Sequence, residues 1–169
     1  MTLAARTASG PLAAEPEEDR SIVIERLIAA PRELVFKAFT TAEHLAHWWG
    51  PTGFSITTSA FDFQVGGVWR FVMHGPDGRD YQNRVVFHVI EPPARIVSKH
   101  GGGEVGDDLD PTSHETRITL EADGDKTRLT WRLVFVSIAE RDRIARDYGA
   151  VEGGQQTVGR LAAYVAQLG

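Results

Sequence analysis

At 169 residues and 18.6 kDa the chain suits one domain, long enough to bury roughly two thirds of its unfolded surface around a single core. Eighteen Lys and Arg against 23 Asp and Glu give a net charge of -5 with no basic block, which argues against nucleic acid or an anionic membrane as partner. No cysteine is present, so disulfides, thiolate zinc sites and thiol nucleophiles are excluded; with no long apolar run and no apolar leader, the expected home is the cytoplasm.

Residues 1–20 are rich in Ala, Gly, Pro and Glu with almost no bulky apolar side chain, and read as a flexible tail before a single domain at 21–169. "SIVIERLIAA" alternates with period two, predicting a first strand over 21–29. Pro31 suits a first helical turn, and Leu34, Val35, Ala38 and Phe39 follow at helical spacing. A second short helix over 41–48 starts after Thr40 or Thr41 and stops before Gly50-Pro51, leaving Trp48 and Trp49 at its C-terminus. Six strands follow, near 54–63, 67–74, 79–90, 94–100, 114–122 and 126–136, separated by Gly and Pro turns. In the last, Leu129, Trp131, Leu133 and Phe135 share one face while Arg128, Thr130 and Arg132 take the other, so the sheet has one wet and one covered face.

What covers it is the C-terminal segment, where Ile144, Tyr148, Val151, Val158, Leu161 and Val165 form an apolar stripe on a long helix. Gly149, Gly153 and Gly154 weaken that helix and predict a kink or short break. The order β, α, α, six β, long α describes an α+β domain: a curved antiparallel sheet of about seven strands wrapped around the long C-terminal helix, with space between them.

The text "IAAPRELVFKAFTTAEHLAHWWGP", "FDFQVGGVWRFVMHGPDGRDY", "VIEPPARIV", "ETRITLEADGDKTRLTW" and "GAVEGGQQTVGRLAAYV" resembles the START and polyketide-cyclase (SRPBCC) superfamily, whose fold is the birch-pollen-allergen-like helix grip. Its closer likeness is to the branch named after the C-terminal domain of the activator of the heat-shock-protein-90 ATPase, over about residues 22–167. The resemblance implies a helix-grip fold with a cavity and no particular reaction, since that superfamily includes carriers of hydrophobic ligands, ring-closing enzymes and co-chaperone domains. The eukaryotic activator carries a separate N-terminal domain that this polar tail does not replace, which weighs against a chaperone partner.

Several chemical readings fail on their own terms. His44 and His47 form an H-x-x-H at helical spacing but lack a third ligand, so no metal is expected. His114-Glu115 opens an H-E-x-x-H text whose fifth position is Ile118, on a strand. "GGGEVG" at 101–106 satisfies G-x-G-x-x-G, yet Asp107, Asp108, Asp110 and Pro111 follow where a helix N-terminus would hold pyrophosphate. It reads as a long acidic hairpin loop over 101–112, lying near a cavity mouth. No cofactor is expected. The strand Ser and Thr residues have no readable His and Asp partners, which leaves no nucleophile. Of three strand histidines, His74 and His88 take outward parity if Trp69, Phe71, Met73, Val85, Phe87 and Val89 face inward; His100 stays inward and is the one weak candidate for an acid or base.

Apolar inward positions with a few polar ones among them describe a small-molecule pocket. The candidate ligand-binding residues are Trp48, Trp49, Phe54, Trp69, Phe71, Met73, Asn83, Val85, Phe87, His100, Trp131, Leu133, Tyr148, Val151 and Gln155. The three glycines are expected to leave the helix side of the cavity under-filled. Trp48 and Trp49, about a hundred degrees apart on a helix, cannot face the same way, so one anchors the core and the other lines the pocket. The expected function is binding of a hydrophobic or aromatic small molecule. The alternatives are a cyclase- or hydrolase-type enzyme using His100 with Asn83 or Gln155, and a co-chaperone-like protein-binding domain. The wet sheet face and the edge strands would allow a homodimer.

Overall fold

The structure, a computed structural model, describes residues 15–101 and 114–168. Seven strands form one antiparallel sheet: β1 (Ser21–Ile28), β2 (Ser55–Phe61), β3 (Val68–His74), β4 (Asp80–Glu91), β5 (Arg95–Gly101), β6 (His114–Asp123) and β7 (Lys126–Val134). Their order across the sheet is β1-β7-β6-β5-β4-β3-β2. Five of the six pairings are hairpin neighbours, and β1 closes the far edge against β7 with Ile24 opposite Trp131. Two short helices follow β1, α1 (Arg32–Lys37) and α2 (Ala42–Trp48); two more end the chain, α3 (Ile138–Tyr148) and α4 (Ala150–Leu168). Among the described residues no helix is long and apolar enough to cross a membrane.

The alternation read from the sequence sets the sheet's inner face, where Ile22, Ile24, Trp69, Phe71, Val85, Phe87, Ile96, Ile118, Leu129 and Trp131 are all buried. One parity expectation fails. The register slips at His88, so that Phe87 pairs with Ser98 and Val89 with Val97; past this bulge Ile90, not Val89, packs against the core. The α2 boundary follows from chemistry: the Thr41 hydroxyl accepts from the His44 N–H at 3.0 Å, satisfying one of the amides that a helix start leaves open.

The break expected in the C-terminal helix falls at Gly149 and makes two helices of it, while Gly153 and Gly154 lie inside the second. Ser137 caps α3 by accepting from the Glu140 N–H, and Gly149 ends it at φ 59, ψ 41, a left-handed geometry that favours glycine. On α4 the residues Gly154, Val158, Leu161 and Val165 face the sheet. The missing side chain of Gly154 does not open a cavity as expected. A Cβ there would overlap the Ile24 side chain, so this glycine brings helix and strand into close contact.

Within the segment expected to be a tail, Glu17–Arg20 form a 3₁₀ turn, docked on the sheet by Arg117 donating to both Glu17 carboxylate oxygens at 3.0 and 2.8 Å and by Arg20 Nη1 donating to the Phe135 carbonyl at 2.7 Å. The Arg117 guanidinium holds the Glu17 carboxyl below its usual range. Residues 1–14 of that expected tail, and the acidic loop beyond Gly101, lie outside the described residues.

Candidate functional site

A cavity of about 460 Å³ opens between β3–β6, the turn after α2, and α3. Strand parity supplies three of its sides. Met73 on β3 pairs with Tyr81 on β4, Phe71 with Asn83, and His100 on β5 with His114 on β6, all on the inner face. Pro51 and Phe54 come from the turn after α2. The fourth side is α3, which offers Arg143 and Asp147 with Ile144 and Tyr148, two i,i+4 pairs on one helix face.

The floor carries a directional row of hydrogen bonds. The Asn83 side-chain N–H donates to the Tyr81 carbonyl at 3.0 Å. Because a carbonyl only accepts, the other end of the amide, Oδ1, is the atom that meets His100 Nε2 at 2.8 Å. His100 is desolvated, and burial pushes its imidazole down to about 4. It is therefore neutral at pH 7. At the rim the charges are paired: Arg143 donates to Glu140 at 3.0 and 2.7 Å, which holds the guanidinium above its usual range. Tyr148 stands at the mouth, 62 % exposed.

The two neighbouring indoles differ in burial, although both pack against Trp131 and their rings are 5.5 Å apart. Trp48 is wholly buried; its Nε1 donates to the Ala38 carbonyl at 3.0 Å and its ring meets Phe39 edge-on at 4.9 Å. Trp49, half-buried, points between the sheet and α2, with its ring 4.9 Å from Trp69, 5.4 Å from Trp131 and 6.3 Å from His100. Behind it, Trp49, Trp69, Val85 and Phe87 enclose only about 20 Å³. Neither indole lines the cavity, the place expected for one of them, and Trp49 packs on the core. Its backbone is held by Arg160 of α4, whose Nη1 donates to the Gly50 and Pro51 carbonyls at 2.9 and 3.1 Å and reaches those of Trp49 and Phe54 at 3.3 Å. The Pro51 carbonyl also accepts from the Phe54 N–H at 3.0 Å, so Arg160 adds to the turn's own hydrogen bond.

The sequence-derived residues therefore separate into three groups. Phe54, Met73, Asn83, His100 and Tyr148 line the cavity. Trp48, Trp49, Trp69, Phe71, Val85, Phe87, Trp131 and Leu133 belong to the core cluster or pack on it. Val151 and Gln155 are exposed on α4. Val151, 49 % exposed, is on the first turn, before the helix reaches the sheet at Gly154; Gln155 is a hundred degrees round from the buried line. Sequence reasoning missed Tyr81, which shares the parity of Asn83, Val85 and Phe87 and was legible from it. It also missed Gln82 at the rim, His114, and Arg143 and Asp147, the polar neighbours of Ile144 and Tyr148 in the apolar stripe.

Two clusters lie elsewhere. His44 Nδ1 is 2.6 Å from the Tyr164 hydroxyl and His47 stacks on the same ring at 4.9 Å, so this pair docks α2 on α4. No group of three ligating side chains occurs among the described residues. The expectation that no strand hydroxyl has His and Asp partners is overturned: Thr57 Oγ1 is 2.8 Å from His74 Nε2, and His74 Nδ1 is 2.7 Å from Asp80. The row lies exposed on the outer face, apart from the cavity.

A curled antiparallel sheet gripping a helix, with an apolar pocket at its open end, defines a helix-grip protein of the START and polyketide-cyclase kind. The chain belongs to the Activator of Hsp90 ATPase homolog 1-like protein family, whose profile matches residues 29–166. Among solved structures it is similar to a protein from Arthrobacter aurescens, at 25% identity over 90% of each chain with a TM-score of 0.80. A protein from Nitrosomonas europaea, 22% identical over 92% of this chain and 99% of that one (TM-score 0.78), shares the fold. So does the AHSA1 protein from Silicibacter pomeroyi, 22% identical over 88% and 99%, with a TM-score of 0.71. No curated protein matches the chain.

Proposed function

We propose that this protein binds a hydrophobic or aromatic small molecule in the cavity between β3–β6 and α3. The cavity itself carries the reading: its volume of about 460 Å³ falls in the roughly 300–1,000 Å³ range of ligand sites. Phe54, Met73 and Ile144 supply apolar walls, and Asn83 and His100 supply polar atoms converging on one end. A cyclase- or hydrolase-type reaction is less well supported. An imidazole held near 4 is a weak general base, and no Ser or Thr lines the cavity among the described residues. The reading carries with it a single domain over 21–169 and a cytoplasmic home.

Native mass spectrometry of the purified protein tests it, with a co-purified apolar molecule as the expected result. Tryptophan fluorescence supplies the second measurement, since Trp49 stands beside the cavity: quenching by naphthalene-class probes at micromolar concentration supports binding, and no response to any of them counts against it. Recovery of the probe chemically changed would instead favour the enzyme. The family name raises a co-chaperone role, which a chaperone ATPase assay with the added protein tests directly; an unchanged rate removes it.

A further inference from the structure

We propose that His100 presents the cavity with a one-way hydrogen-bond acceptor, so that the pocket selects neutral aromatic molecules bearing an O–H or N–H donor over their donor-free and anionic analogues. The inference deepens the cavity-binding reading and rests on it. It follows from proton bookkeeping along three residues. The Tyr81 carbonyl can only accept, so the Asn83 amide turns its N–H toward it, at 3.0 Å. Asn83 Oδ1 is then the atom 2.8 Å from His100 Nε2, and Nε2 must carry the proton to complete that bond. In a neutral imidazole the second nitrogen is then a lone pair. Nδ1 has no hydrogen-bond partner among the described residues and belongs to a ring that lines the cavity.

The surroundings favour a flat, uncharged partner for that lone pair. The rings of Trp49 and Phe71 lie 6.3 and 6.0 Å from the His100 ring, and that of His114 at 5.0 Å. The one guanidinium on the cavity wall among the described residues, Arg143, is already held by both oxygens of Glu140, and Asp147 beside it is paired with Arg146 at 3.0 Å. An anion entering here loses hydration and meets no unpaired cation. A hydroxyl or N–H group, by contrast, satisfies Nδ1, whereas an analogue lacking it leaves that acceptor dry and unpaired.

Four probes of one shape test this: 2-naphthol, 2-methoxynaphthalene, naphthalene and 2-naphthoate, titrated by tryptophan fluorescence at pH 7. The expected result is a Kd for 2-naphthol about tenfold below those of naphthalene and 2-methoxynaphthalene, with 2-naphthoate weakest. In His100→Phe the Kd ratio between naphthalene and 2-naphthol falls to about one, with circular dichroism checking that the variant folds. In Asn83→Leu the preference shrinks because the tautomer is no longer imposed; ¹⁵N NMR of the wild-type imidazole should show a protonated Nε2 and a bare Nδ1. Equal affinities for 2-naphthol and 2-methoxynaphthalene, or a proton on Nδ1, overturn the inference and leave the cavity reading standing. If none of the four probes binds, the cavity reading falls and the selectivity with it.

Discussion

His100 is the residue whose ionisation the fold changes most usefully. Its pKa falls from 6.5 to about 4 because burial penalises the charged ring. The unfolded chain therefore binds more protons than the native one between those values, and stability is lost as pH falls through that window. The limiting loss is on the order of 3 kcal/mol. Urea unfolding of wild type and His100→Phe at pH 7 and pH 4.5 checks it: the wild type should lose about 2–3 kcal/mol more than the variant. At the other end of the site, Arg160 answers carbonyls of the turn that carries Trp49. Arg160→Met keeps the aliphatic stem and removes the donors, which should cost about 2–3 kcal/mol through unsatisfied carbonyls. It should also shift Trp49 emission to the red, since its backbone is no longer held; an unchanged emission maximum would mean that packing alone positions Trp49.

At the scale of elements, the break between α3 and α4 decides what the cavity is made of. Gly149 at φ 59 lets the chain leave one helix axis and start another, so α3 turns Arg143, Ile144, Asp147 and Tyr148 over the cavity and α4 runs along the sheet. Gly149→Ala should lower stability by about 1 kcal/mol, and Gly149→Asn by less, because asparagine tolerates the left-handed region. Gly154 has a different physical reason, closeness rather than conformation. Gly154→Ala forces Ile24 aside at a cost of about 1–3 kcal/mol, and Gly154→Leu should leave no folded protein by circular dichroism. Double substitution of Gly154→Ala with Ile24→Val should recover part of the loss, which separates contact from helix propensity.

For the whole molecule, binding in the cavity is a stability statement. A ligand at a hundred times its Kd adds about 2.7 kcal/mol, which for a domain of this size raises Tm by roughly 5–10 °C; differential scanning fluorimetry with 2-naphthol measures it. How the fold and the cavity relate to the sequence follows from the range of the forces involved. Period-two alternation at Trp69, Phe71 and Met73 or at Leu129 and Trp131, the Thr41 cap, and the turn glycines are local properties, so the strands, α1 and α2 and the α+β helix-grip architecture were determined by the sequence alone. That Trp48 and Trp49 differ in direction was also legible there, since consecutive helical residues point about a hundred degrees apart. Which of them is wholly buried, and that both meet Trp131, was not. That depended on Ala38 taking the Trp48 N–H and on Arg160 reaching across from α4. Likewise the bulge at His88, the overlap of Gly154 with Ile24, and the alignment of Tyr81, Asn83 and His100 into one proton-directing row are matters of register and approach between segments distant in the chain. A local pattern tells which side of a strand or helix is apolar; only the packed tertiary structure decides which apolar sides meet and where they leave room.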